Sequence, residues 1–79
     1  MKYVALKVEC GYHAPGGRYI YKYCIKGQRD TDLNWDMLQY GYATEEKALH
    51  NMRMINDRAF FGRLPMYNSG GYGAEGKVE

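Results

Sequence analysis

Residues 18–26 read Arg-Tyr-Ile-Tyr-Lys-Tyr-Cys-Ile-Lys, and this strict alternation constrains the chain more than any other feature. Successive side chains of an extended strand point to opposite faces. One face therefore carries Tyr19, Tyr21, Tyr23 and Ile25, and the other carries Arg18, Ile20, Lys22, Cys24 and Lys26. A helix would scatter the same residues around its circumference. The segment is a strand, with an aromatic stripe backed by a basic one.

Residues 2–10 alternate as well, with Val4, Leu6, Val8 and Cys10 on one face and Tyr3, Ala5, Lys7 and Glu9 on the other. Between the two runs lies Gly11-Tyr12-His13-Ala14-Pro15-Gly16-Gly17, and Pro-Gly is a strong turn signal. The pattern predicts a β-hairpin. A loop of Pro15-Gly16, or of residues 14–17, pairs positions whose numbers sum to 31. Cys10 then faces Tyr21, Val8 faces Tyr23 and Leu6 faces Ile25, so the aliphatic and tyrosine stripes land on one face, as a core requires. The reverse face is polar and mostly basic, with Arg18, Ile20, Lys22 and Lys26 on one strand and Tyr3 and Lys7 across from them. These six residues are the first candidate contact set.

Residues 27–32 are polar and read as a loop, and a third strand is expected within residues 33–42, supported by Trp35, Leu38, Tyr40 and Tyr42. A helix follows. Thr44 is a suitable N-cap, and Glu45 and Glu46 occupy the first turn, where the helix dipole favours negative charge. Ala48, Leu49, Met52, Ile55 and Ala59 recur at helical spacing, with Gly62 as a stop and Pro65 beyond it. Helical projection places Met54 and Phe61 on the far side, beside Lys47, His50 and Arg58. Met54, Arg58 and Phe61 are the second candidate contact set; the alternative is an earlier helix end that folds Phe61 back into the core. The expected fold is α+β: a hairpin extended to a three-stranded antiparallel sheet, one helix on one face, and residues 1–66 as the domain. Residues 67–79, rich in glycine, read as a flexible tail.

Size and charge narrow the function. Seventy-nine residues bury only about 60% of the surface of the unfolded chain, so a partner or self-association, such as a homodimer, is a natural source of added stability. The net charge of +2 is too mild to argue for nucleic acid by itself. Nine tyrosines suit half-buried strands and contact surfaces alike. Lys7 and Glu9 interrupt the apolar run that a secretory signal needs, and no stretch reaches the roughly 20 apolar residues of a membrane span, which points to the cytoplasm.

Catalytic and metal chemistry find little support. Cys10, His13, Cys24 and His50 lack a second compact ligand pair, and the hairpin places Cys10 and Cys24 on opposite faces, against both a shared zinc ion and an intramolecular disulfide. An intermolecular disulfide through Cys24 requires that it be exposed. A Cys–His nucleophile would need an orienting group and a cleft, and no phosphate-cradling glycine loop joins a strand to a helix. No cofactor is implied, and the expectation is a chain without enzymatic activity.

Two resemblances suggest what such a module binds. Gly17-Arg18-Tyr19-Ile20-Tyr21-Lys22-Tyr23, a later strand ending Tyr40-Gly41-Tyr42-Ala43-Thr44, and Glu45-Glu46-Lys47-Ala48-Leu49 resemble the arm-type DNA-binding domains at the N-termini of phage integrases. In those a three-stranded sheet precedes a helix opened by an aromatic-x-Thr-x-x-x-Ala pattern. That resemblance implies DNA or RNA binding through the basic sheet face, although Asp30, Asp32 and Asp36 depart from a DNA-facing composition. As a tiny stand-alone domain rich in tyrosine, the chain is also similar in kind to small phage-encoded accessory proteins, anti-CRISPR proteins among them. That likeness implies an inhibitor that docks on a protein or ribonucleoprotein complex in the host cytoplasm, and often covers its nucleic-acid-binding surface. Nearly balanced charge and the value of tyrosine and arginine at interface hot spots favour the protein-directed reading.

Overall fold

The computed structural model describes residues 2–13, 15–17 and 20–68. Four strands and one helix follow in the order β1 (Tyr3–His13), β2 (Ile20–Arg29), β3 (Trp35–Tyr42), α1 (Glu45–Ala59) and β4 (Met66–Asn68). The sheet runs β3-β2-β1-β4, with β1–β2 and β2–β3 antiparallel and β4 parallel to β1. The expected three antiparallel strands are present, and β4 makes the sheet mixed. A parallel neighbour needs a crossover, and α1 supplies it by carrying the chain from the β3 edge to the β1 edge. Tyr67 and Asn68 therefore belong to the sheet, while residues 69–79 of the expected tail lie outside the described residues.

The hairpin register differs from the Pro15-Gly16 expectation by two residues. Pairs from Ala5↔Gln28 to His13↔Ile20 sum to 33, so Cys10 faces Tyr23 and Val8 faces Ile25. The connection is longer than a tight two-residue turn: Pro15–Gly17 form a short 3-10 turn, with Gly16 and Gly17 at φ 61° and 83°, a backbone region glycine enters freely. A shift of two residues preserves every face. Leu6, Val8 and Ile25 still point together, and with Ala48 and Met52 of α1 they form the closed core.

The helix starts as its sequence predicts. The Thr44 hydroxyl oxygen accepts a hydrogen bond from the Lys47 amide at 3.2 Å. Leu49 and Ile55 flank the buried Ala48 and Met52, but Ala59 is exposed and Asn56 takes the buried position one turn beyond Met52. The helix ends at Ala59, before Gly62. Phe60 adopts an extended backbone (φ −125°) and turns its ring onto Tyr3 edge-to-face, with centroids 6.5 Å apart. Phe60 is thus the phenylalanine that joins the core, and Phe61 is fully exposed.

Candidate functional site: the open face of the sheet

Helix α1 covers one face of the sheet only. On the other face the register fixes which side chains stand together. Pairing of β3, β2, β1 and β4 sets Met37, Lys26, Lys7 and Tyr67 in one row across all four strands. At about 4.8 Å per strand gap, the row is roughly 14 Å wide. Trp35 and Gln28 stand beside Ala5 in the next row, and Tyr40 and Cys24 beside Glu9 in the row on the other side. Lys22 and Ile20 extend the face toward the hairpin end, opposite Gly11 and His13. Ala5 and Cys24, the small side chains here, are buried.

The electrostatics of this face centre on Glu9. Lys7 and Lys26 are directly opposed across the β1–β2 ladder, a like-charge pairing that is unfavourable unless bridged. The Glu9 carboxylate bridges it, at 2.6 Å from Lys26 Nζ and 3.6 Å from Lys7 Nζ. Partial burial acts to raise the Glu9 pKa, but the hydrogen bond and charge of Lys26, joined by Lys7, outweigh it and hold the carboxyl below its ordinary range. The Lys7 ammonium also sits 4.4 Å from the centroid of the Trp35 ring, a cation–π contact. Around this cluster Met37, Tyr40 and Tyr67 are 57%, 47% and 54% exposed. Met37 and Tyr40 lie on the β3 side of the cluster and Tyr67 on the β4 side, so apolar side chains flank a set of lysines whose central pair is already bridged.

The structure brings together part of the first candidate set. Ile20, Lys22, Lys26 and Lys7 share the open face. Tyr3 does not. The register shifts between Tyr3 and Ala5, so Val4 is an extra residue and the strand before it turns over. The Tyr3 ring lies against Gly27 and Phe60 on the helix side, and its hydroxyl donates to Asp36 Oδ2 at 3.3 Å. Burial, then the Asp36 carboxylate, pushes that phenol up. Arg18 lies outside the described residues. Of the second set, Arg58 and Phe61 are exposed and Met54 is half-buried, and all three belong to α1 or the turn after it, across the sheet from the open face. One list becomes two separate surfaces.

Four members of the open face, Trp35, Met37, Tyr40 and Tyr67, were missed by sequence reasoning. Met37 and Tyr40 could have been placed only by knowing the β3 register, which shifts twice against β2, around Leu38 and Gly41. Tyr67 was hidden in an apparent tail, because a three-residue edge strand leaves no periodic signal. Cys24, 4% exposed, does not meet the condition set for an intermolecular disulfide, and its thiol is pushed up chiefly by burial. Among the described residues no group of three or more His, Cys, Asp or Glu side chains is placed to hold a metal ion, and no helix is long and apolar enough to cross a membrane.

No protein-family model, curated protein or solved structure matches the chain.

Proposed function

We propose that this chain is a non-enzymatic binding protein that docks through its open sheet face on a protein or ribonucleoprotein complex and blocks it, in the manner of the small phage inhibitors it resembles in kind. The observation that supports the reading is the composition of that face. Met37, Tyr40 and Tyr67 are exposed around lysines whose central pair is bridged by Glu9. Aromatic and methionine side chains are enriched at protein interfaces, and internally paired charges lose less on desolvation than unpaired ones.

A second reading rests on the same rings. Tyrosines interleaved with lysines on an open sheet also describe a stacking platform for single-stranded nucleic acid. The modest charge of the face argues against it: three lysines against Glu9 leave an excess of only two, where tracking a phosphate backbone calls for a longer run of cations. A tagged chain incubated with lysate of a candidate host, with and without nuclease, separates the two. The proposal expects a protein complex that survives nuclease and is lost in the Met37→Ser/Tyr40→Ser variant. Recovery of nucleic acid alone would establish the second reading instead.

A further inference from the structure

We infer that the partner surface met by the open face is an acidic one, with carboxylates set around an apolar recess, and not a nucleic-acid-binding surface. This rests on the docking reading above and deepens it.

The charge of the described chain is unevenly distributed. On the helix side, Lys47, Arg53, Arg58 and Arg63 stand against Glu45, Glu46 and Asp57, with Arg63 held 2.7 Å from Asp57, an excess of one. At the end of the sheet where β2 leads into β3, Arg29 is paired with Asp32 and Asp36, and Asp30 adds a further negative charge. The open face holds Lys7, Lys22 and Lys26 against Glu9 alone. Three lysines against one carboxylate leave this face the larger positive excess. A surface built to cover the nucleic-acid channel of a host complex would meet a basic lining, and like charges brought together across an interface oppose binding. The complementary counterpart is acidic.

Glu9 shows how carboxylates are received. Its carboxylate sits between two lysines of adjacent strands, at 2.6 Å and 3.6 Å, so the spacing of the ladder already suits a carboxylate. Lys22, two residues before Cys24 on the same strand face, extends the basic row beyond the reach of that internal bridge. Met37 and Tyr40, exposed on the neighbouring strand, supply apolar anchors beside it. Carboxylates of the partner would meet Lys22 and Lys26, while Met37 and Tyr40 enter the recess between them.

The test uses two defined polymers on the full chain: poly-L-glutamate as the carboxylate probe and polyuridylate as the phosphate probe, matched in charge. Amide chemical shifts are followed by NMR, and Trp35, the single tryptophan, by fluorescence. Poly-L-glutamate is expected to move the amides of Lys22, Lys26, Met37 and Tyr40. Its affinity should fall roughly tenfold or more between low and high salt, as steered association does, and be lost in Lys22→Glu/Lys26→Glu. A variant on the helix side, Arg53→Ala, exposed and in neither contact set, should leave it unchanged. If neither polymer moves these amides at low salt, the acidic-partner inference is overturned, while the docking reading still stands or falls by the nuclease-resistant complex. If polyuridylate binds more tightly, quenches Trp35 and shifts the Tyr40 and Tyr67 rings, both are overturned in favour of nucleic acid.

Discussion

Asn56 and Leu64 hold each other through two hydrogen bonds. The Asn56 side-chain amide donates to the Leu64 carbonyl at 3.3 Å, and the Leu64 amide donates to Asn56 Oδ1 at 3.1 Å. Asn56 is 1% exposed and is the one buried polar side chain among the described residues. The pair ties the last turn of α1 to the segment that leads into β4, where the Leu6 amide donates to the Pro65 carbonyl at 3.0 Å. Through this link Tyr67 is held on the open face.

Asn56→Leu therefore leaves both Leu64 backbone groups without their partner. The loss expected is about 2–3 kcal/mol, read from urea unfolding. Faster hydrogen exchange at the Leu6 amide should accompany it, because the β1–β4 edge is released. Exchange at the Ile25 amide, deep in the β1–β2 hairpin, should accelerate only as far as global stability falls.

Gly27 and Tyr3 form a second tight relationship. A Cβ on Gly27 would lie 2.8 Å from Cδ1 of the Tyr3 ring, closer than real contacts allow. Gly27→Ala must displace the ring from Phe60, and a destabilisation of about 1–3 kcal/mol is expected, as for other overpacked sites. In Tyr3→Ala the same substitution should lose most of its effect. A thermal-melt double-mutant cycle measures that coupling; additive effects would show that the ring is not the obstacle.

The Glu9 bridge makes a pH prediction. Its folded pKa lies below its ordinary value because Lys26 and Lys7 outweigh the opposing effect of burial. Its contribution is therefore present above the unfolded-state carboxylate pKa and is lost as pH falls through the lower folded value. Protonation also restores the unscreened opposition of Lys7 and Lys26. Glu9→Gln should flatten that acid limb of the stability profile and lower stability at neutral pH modestly, since the groups are partly exposed. An unchanged acid limb in Glu9→Gln would remove Glu9 from the account.

Cys24 offers a chemical readout of the same face. Burial raises its thiol pKa, and the thiolate is the reactive form. Alkylation by iodoacetamide at mildly alkaline pH should be slow and should track unfolding, with Cys24 reacting freely once the chain is denatured. Fast modification of Cys24 in the native protein would mean that the Glu9, Lys26 and Tyr40 surroundings are looser than described.

Much of the helix side was legible from residue order alone. Period-two alternation in β1 and β2 and helical spacing from Ala48 to Ile55 assign the same faces that the structure uses. The two-residue register difference passes unnoticed in the faces, because a shift of two returns every side chain to its own side. Single-residue irregularities were not legible. The extra residue at Val4 carries Tyr3 to the opposite face, and the shifts around Leu38 and Gly41 obscure which β3 side chains share a side. Asn56 was hidden for another reason: a polar residue at a core position breaks the apolar pattern, and its partner is backbone eight residues away. Half of the open face thus came from periodicity, while Trp35, Met37, Tyr40 and Tyr67 needed the assembled sheet.

Whether docking uses the open sheet face or the helix side is decided by comparing variants of the two. The direct measurement is the affinity of the captured partner for two double variants, Met37→Ser/Tyr40→Ser on the sheet and Met54→Ser/Phe61→Ser on the helix side. The first is expected to weaken binding by roughly tenfold or more, as loss of interface anchors does, with its melting temperature little changed, and the second to bind as the unmodified chain does. Binding that survives the sheet variant and is lost in the helix variant would contradict docking through the open sheet face.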